Sequence, residues 1–516
     1  MEYLLTGKAA KSVDEFCIQE IGIPSLVLME RAAYAVAKNV DEVIKIQDES
    51  GRKTEIVIVC GIGNNGADGI AAARMLKEMG YPCRICIVGD PGKGTEELKV
   101  QYQIVNNLRI DVKVCDTKAK VDSYSFSDNN MEEVMIVDAL FGIGLSRNIE
   151  GICYQMVNKI NEQKSFVLSV DIASGLNSAN GKVMGIAVNS DMTVTFGKMK
   201  AGHLLCDGRE YSGRVQIEDV GFVKKAYNKV LDEMKDDVFV YLTKEDLKKI
   251  PKRKRTSHKG TYSNVNVIGA GAGMSGAVAL AGMAAYRCGA GLVKIYAKDS
   301  NTDVIRTLVK EAVVHDYAAF DVNEKNHNKD IIIIGPGLGT VGEAKKLVEN
   351  VLDTDCKIVI DADALNLIST NKILLNKFGE NIVITPHLKE MSRLIEKDVS
   401  YIRENIISCA KEFSLKYGCT TVLKDATTVI SSPRGNIRIN RSGNSGMSKG
   451  GSGDVLSGII AGLITQNLSV FEAASLGVYL HGLAGNLAAE RNSEYSMVAS
   501  DLIDAIPQVM KKYVME

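Results

Sequence analysis

The residues best suited to chemistry lie near the C-terminal end, at 444–458, NSGMSKGGSGDVLSG. Glycines at 446, 450, 451, 453 and 458 let backbone amides approach an anion closely. The apolar helical pattern VLSGIIAGLI begins at once behind Asp454 and adds free N–H groups and the positive end of a helix dipole. Such a loop suits phosphate. Its single acid, Asp454, would repel phosphate but makes sense as a base that takes a proton from a hydroxyl while phosphate is transferred to it. A glycine-rich turn with Asp454 as a plain helix cap fits the same spacing.

A second set of polar residues sits at the ends of apolar runs in the first half. Ile56, Val57, Ile58 and Val59 predict a buried parallel strand. It runs into GIGNNGADG (61–69) and then the helical IAAARMLKEMG, the order of a nucleotide-binding βα unit. Strand-like runs at 84–88, 134–138, 166–171 and 192–196 alternate with helical stretches, which predicts a mostly parallel sheet with helices on both faces. Asp138 and Asp171 close two of these runs. Ligands of open α/β sheets bind outside the carboxyl ends of the strands, so Asn65, Asp68, Asp138, Asp171 and Ser174 can converge on one crevice. Their oxygen-only character suits a hard cation or ribose hydroxyls better than a transition metal. Each acid alone could equally cap a turn or helix. Before this sheet, residues 1–47 predict two helices separated by Pro24.

Character changes between 207 and 255, which places a domain boundary near 225–235; the basic run 251–255 reads as a solvated linker face. The second half opens with SNVNVIGAGAGMSGAVALAGMAAYRCGAGLVKIY, another βαβ pattern. The acid expected of an NAD-type Rossmann unit is missing, since the next strand leads to Lys298. Further strands at 330–339, 357–365, 381–387 and 420–430 each end in glycine or a polar cluster, again pointing one sheet edge at a ligand.

Bulk properties narrow the classes. A chain of 516 residues, 46% hydrophobic and 24% charged, is globular and long enough for two to four domains. Its 62 basic and 63 acidic residues leave a net charge of −1, which argues against nucleic acid or an anionic membrane as the main partner. No apolar run reaches about 18 residues, and the N-terminus lacks a signal-type core. Eleven scattered cysteines without a disulfide framework fit reduced thiols in a cytoplasmic chain; Cys83 and Cys86 form a CxxC without a second pair.

In the first half GIGNNGADG, VDALFGIGLSR and DIASGL, and in the second HKGTYSNVNVIGAGAGMSGA, GPGLG, DADAL, TPHLKEM, KDATT and the 444–458 loop, follow one another in order. Together they resemble the bifunctional NAD(P)H-hydrate repair family, an NAD(P)HX epimerase fused to an ADP-dependent (S)-NAD(P)HX dehydratase. The last loop resembles the anion hole of the ribokinase-like superfamily. The resemblance implies an α/β protein of two domains: a Rossmann-like α/β/α sandwich at 1–225 and a ribokinase-like α/β/α domain at 235–516. It implies interconversion of the R and S hydrates of NADH and NADPH, and dehydration of the S form at the expense of ADP, giving AMP and phosphate.

Site residues carry over in the same way. In the epimerase half the resemblance implies substrate binding by Asn64, Asn65, Gly66, Ala67 and Asp68, and by Gly142, Ile143, Gly144, Leu145, Ser146, Arg147 and Asn148. It implies potassium ligation by Asn65, Asp138 and Ser174, and hydrate contact and acid/base work by Asp171. Lys198, in the glycine-flanked FGKMKAG, could polarise the ligand or lie on the surface. In the dehydratase half it implies substrate contacts from Ala277, Gly339, His387 and Asp454, with Asp454 as the catalytic base. Nucleotide contacts would come from Lys424, Asp425, Ala426, Thr427, Thr428 and Gly453, with Mg²⁺ accompanying ADP. The expected partners are NAD(P)HX, ADP and a second copy of the chain as a homo-oligomer. Five positions depart from the family pattern: Ala67 and Asp425 replace glycines, Ala173 a proline, and Leu388 and Lys389 a Pro-Gly pair. Asp425 bears most on function, since its carboxylate stands where phosphate is expected. A ribokinase-like small-molecule kinase with a noncatalytic dinucleotide-sensing first half, a dinucleotide-binding scaffold and a simple oxidoreductase are the competing readings.

Overall fold

Hydrophobic alternation on either side of continuous apolar strands builds two separate sheets, one parallel and one mostly parallel. The computed structural model describes residues 1–47, 54–127, 133–271, 273–321 and 330–515. The chain divides into two units, Tyr3–Phe239 and Val240–Glu516, the latter with Met1–Glu2. The first unit thus runs past the boundary expected near 225–235.

Seven strands form the first sheet: β1 (Thr54–Cys60), β2 (Cys83–Val88), β3 (Asp111–Cys115), β4 (Glu133–Ala139), β5 (Phe166–Val170), β6 (Met192–Phe196) and β7 (Arg214–Glu218). Their order is β3-β2-β1-β4-β5-β6-β7, and every pairing is parallel. Strand alternation sorts β1 between two cores. Ile56 and Ile58 pack with helices Ser25–Gln47 and Asn64–Glu78, while Val57 and Val59 face the helix Gly151–Asn161 on the opposite side. Burial of each such side chain contributes about 1.5–3 kcal/mol. The order reverses between β1 and β4, and a crevice opens at that reversal outside the strand ends.

In the second unit β8 (Asn264–Ile268), β9 (Leu292–Ala297), β10 (Val313–Asp316), β11 (Ile331–Ile334), β12 (Lys357–Ile360), β13 (Ile382–Ile384), β14 (Thr420–Leu423), β15 (Val429–Ser431) and β16 (Ile437–Ile439) lie in the order β16-β15-β14-β13-β12-β11-β8-β9-β10. From β14 to β10 the pairing is parallel; β14–β15 and β15–β16 are antiparallel. The helix Ser452–Ile464 packs on Ser275–Arg287 through small residues. A Cβ on Gly458 would lie 2.2 Å from the Ala281 carbonyl oxygen, so only glycine permits this crossing. That close contact sets where the N-terminus of Ser452–Ile464, and with it the 444–458 loop, stands over the sheet edge.

Candidate functional site

Each unit holds a cavity at the carboxyl edge of its sheet. In the second unit its volume is about 790 Å³, and its walls come from four strand ends and the glycine loop. Gly451 is the cap of Ser452–Ile464 at φ 92°, a left-handed conformation that glycine adopts without strain. Asp454 lies inside the first turn and makes no capping bond, so the plain-cap alternative does not describe it. Burial first, then the carboxylates of Asp361 and Asp363, push its pKa up to about 7, with Lys424 pulling the other way. A carboxylate so poised is suited to general base work near neutrality.

Lys424, at the end of β14, is a partly buried cation of this cavity, whose lining also includes Lys389 and Lys449. Its Nζ donates to Asp361 Oδ1 at 3.1 Å, and Ser457 Oγ donates to Asp361 Oδ2 at 2.7 Å. Burial opposes the lysine's charge, but Asp361, Glu390 and Asp454 together raise its pKa. A Cβ on Gly453 would come 3.2 Å from Lys424 Nζ, so the loop's amides and the ammonium group face one space. Asp361 belongs to the DADAL motif, yet its role as the partner that fixes Lys424 escapes sequence reasoning. A buried strand-end acid 63 residues from its lysine leaves no local pattern.

His387 caps the helix Leu388–Ile395: its Nδ1 accepts from the N–H groups of Lys389 (3.1 Å) and Glu390 (3.2 Å). Glu390 Oε2 accepts the His387 N–H in return at 2.9 Å, a capping box. Two donors on Nδ1 leave the ring proton on Nε2, which lies 3.4 Å from Glu390 Oε1. Burial lowers the His387 pKa and raises that of Glu390 to about 7. Leu388 and Lys389 form the first helical turn, so the lost Pro-Gly pair leaves the helix start intact. Asp425 pairs with Arg403 Nε at 3.7 Å, so its extra carboxylate is not left bare toward phosphate. Lys424, Asp425, Ala426, Thr428, Gly453, His387 and Asp454 all line the cavity. Thr427 is buried, and Ala277 and Gly339 stand outside the lining, after β8 and β11 where the strand order reverses. The lining also includes His481, whose Nε2 lies 3.3 Å from Ser452 Oγ and whose pKa burial pushes down to about 4.

The first unit's cavity, about 600 Å³, is lined by Asn64, Asn65, Asp68, the run Gly142, Ile143, Gly144, Leu145, Ser146 and Arg147, and Asp171. Gly66 and Ala67 are buried in the helix Asn64–Glu78 beneath it, and Asn148 lies beyond its rim. Ala67 is an ordinary helical residue there, which explains why a side chain is tolerated at a position where related chains have glycine. Asp171 sits at φ 66°, a conformation aspartate adopts more readily than most residues. Its Oδ1 accepts from Lys200 Nζ, from Thr195 Oγ1 at 3.0 Å and from the Phe196 N–H at 3.3 Å. Its carbonyl oxygen lies 3.0 Å from His203 Nε2. Lys200, only 2% exposed, is the lysine of this site. Lys198, the sequence candidate, extends instead over the Tyr227 ring, 5.9 Å from its centroid. Both lysines share the FGKMKAG motif, so only the buried ion pair separates them.

Asp138 does not reach the cavity surface. It is fully buried, and all four hydrogen-bond donors to it are neutral: Ser174 Oγ (2.6 Å), Ser169 Oγ (2.7 Å) and the N–H groups of Ser174 (2.9 Å) and Leu140 (3.2 Å). Burial raises its pKa against these bonds. Ser174 Oγ also accepts the Phe141 N–H at 2.8 Å, tying this cluster to the 142–147 loop. Asn65 Oδ1 lies 3.1 Å from where a Cβ on Gly142 would stand, and Asn65 Nδ2 is buried without a hydrogen-bond partner among the described residues.

Two sheet-edge cavities, one closed by a glycine loop and a poised acid in a ribokinase-like unit, define a class: a two-site α/β enzyme acting on nucleotides. Residues 265–508 match the NAD(P)H-hydrate dehydratase family and residues 25–202 the YjeF-related protein N-terminus family. A bifunctional NAD(P)H-hydrate repair enzyme from Thermofilum pendens is 32% identical, the match covering 97% of this chain and 95% of that one. One from Escherichia coli is also 32% identical, over 89% of this chain and 85% of its own. Among solved structures, an ADP/ATP-dependent NAD(P)H-hydrate dehydratase from Bacillus subtilis, co-crystallized with ATP/Mg²⁺, is 29% identical. It covers 53% of this chain and 99% of its own, with a TM-score of 0.48. The chain belongs to the bifunctional NAD(P)H-hydrate repair enzyme family.

Proposed function

We propose that this chain repairs hydrated NADH and NADPH: the first unit epimerises R- and S-NAD(P)HX, and the second dehydrates the S form with ADP, releasing AMP and phosphate. The observation that carries the dehydratase reading is Asp454, raised to about 7 beside Lys424 at the mouth of an amide-rich loop. Asp454 takes the proton of the C6 hydroxyl. That oxygen attacks the β-phosphoryl group of ADP, and AMP leaves. The amides of Gly450, Gly451 and Gly453, the helix N-terminus and Lys424 hold the charge that develops on the transferring group. The nitrogen lone pair of the ring then expels phosphate from C6, a proton leaves C5, and the double bond returns. His387, in the cavity lining, is placed to orient the substrate. Mg²⁺ would accompany ADP and offset its phosphate charge, with Lys424, which faces the loop beside Gly453, meeting the phosphates.

In the first unit, the 64–68 and 142–147 loops receive the dinucleotide, and Asp171, fixed by Lys200, does acid/base work at C6. Asn65, Asp138 and Ser174 fit potassium: they offer oxygen donors, and Asp138 is a buried carboxylate with only neutral hydrogen-bond donors. Bound there, potassium would offset the buried charge and hold the strand-end loops together.

The test supplies mixed R,S-NADHX and ADP to the purified protein and follows the near-ultraviolet absorbance of the dihydronicotinamide. Complete recovery of NADH from both epimers, dependent on ADP or ATP, is expected. No recovery from either epimer would overturn the reading in favour of a kinase for another acceptor.

A further inference from the structure

Epimerisation at C6 has two available routes. Either the C6–O bond breaks and is remade from the other face, or the C6–N1 bond opens and closes again. The first needs an acid on one side of the ring and a base on the other. Two carboxylates that line the first unit's cavity differ in the way this requires. Asp171, after β5, has one oxygen held by Lys200, Thr195 and the Phe196 amide. Asp68, one turn into the helix that follows β1, has no hydrogen-bond or ion-pair partner among the described residues. The strand order places β4 between β1 and β5, so the two carboxylates enter the cavity from opposite sides of the 142–147 loop.

Resting on the epimerase reading of this cavity, we infer that Asp68 is its second catalytic acid/base, opposite Asp171, and that epimerisation breaks and remakes the C6–O bond. The surroundings of Asp68 favour its protonated form. Burial acts first, and the carboxylates of Asp171, Asp14 and Glu97 add to it, holding its pKa well above the usual range. Asp14 comes from the helix Gly7–Gln19 and Glu97 from Glu96–Asn107. The cations around the cavity are committed or exposed: Lys200 is on Asp171, Lys11 is 3.3 Å from Glu15, and Arg147 is exposed. One carboxyl group held by a cation and one without a partner among the described residues, in one cavity, is an arrangement by which two like groups take opposite roles.

The step balances without an outside reagent. Asp68 gives its proton to the departing hydroxyl, water leaves, and the N1 lone pair becomes the N1=C6 bond of an iminium. A second water adds to the opposite face of C6; its electron pair forms the new C6–O bond, the iminium pair returns to N1, and Asp171 takes the water's proton. One proton has passed from Asp68 to Asp171. The reverse conversion, or exchange with solvent, returns it.

The inference places a solvent oxygen on C6 at every inversion, and dehydration then transfers that oxygen to the phosphate released. The experiment supplies R-NADHX and ADP to the wild-type protein in ¹⁸O-water and reads the mass of the inorganic phosphate, corrected for exchange without enzyme. NADH formed with one solvent oxygen per phosphate is expected. NADH formed with unlabelled phosphate would mean ring opening and would overturn the inference while leaving the repair reading intact. Failure to form NADH from this epimer and from the S epimer alike would instead overturn the repair reading itself. Asp68→Asn supplies a second arm. R-epimer use falls by about 10²-fold or more, and S-epimer repair in the same preparation proceeds with unlabelled phosphate. Normal R-epimer use in that variant would remove Asp68 from the role.

Discussion

The two cavities solve different problems with the same few residue types. In the second unit one carboxylate, Asp454, stands beside a lysine and the amides of a glycine-rich loop. In the first, carboxylates from separate elements face one another, and the lysine is spent on holding one of them. Phosphoryl transfer develops negative charge, so donors must crowd one place, and a single loop before a helix supplies them. Epimerisation by C6–O cleavage takes a hydroxyl from one face of a carbon and adds water to the other, so proton-transferring groups must come from opposite sides, which different strand ends can provide. Sheet edges thus serve both sites, but one is written in a continuous stretch and the other is assembled.

The contrast can be broken by substitutions that act on one unit alone. The largest effect expected is from Asp454→Asn: loss of ADP-dependent NADH formation by about 10²–10⁴-fold, with R/S interconversion unchanged when the epimers are separated chromatographically. Lys200→Met leaves Asp171 buried without its cation. It should destabilise the first unit by about 3–5 kcal/mol in urea unfolding and slow R-epimer use, while S-epimer turnover is retained under folding conditions. Gly458→Ala forces a Cβ against the Ala281 carbonyl and should cost the second unit about 1–3 kcal/mol, seen as a lower melting temperature.

The smallest effect is in pH. Asp454 must be ionised to act, so dehydration should rise about tenfold per pH unit on the acid side and level off above about 7. The sign for stability is opposite. The folded chain binds this proton more tightly than the unfolded one, so Asp454 lowers stability as pH rises from 3.8 to about 7. Asp454→Asn should therefore be more stable than the wild type at pH above 7, a gain measurable in the same urea titration.

Much of this was legible before the structure. The alternation of apolar runs and helices implies two parallel sheets, and the 444–458 loop is readable because its glycines, acid and helix are contiguous. Asp138, Asp171 and Ser174 stand out as polar residues after buried strands. Less could be seen where partners are distant or geometry decides. Asp361 and Lys424 are joined only by the sheet order, and nothing local distinguishes buried Lys200 from Lys198. Asp138 looks like a crevice residue by position, but its hydrogen bonds to Ser169 and Ser174 draw it inside. Gly66, Ala67 and Asn148 belong to motif stretches whose neighbours line the cavity, and helical periodicity or rim position takes them away from it.

The most direct test of the two-site account feeds each pure epimer with ADP to Asp171→Asn and follows NADH formation. The S epimer should be repaired at the wild-type rate and the R epimer only as fast as it epimerises in buffer. Equal use of both epimers would contradict the assignment of epimerisation to the first unit, and loss of both would contradict the independence of the two sites.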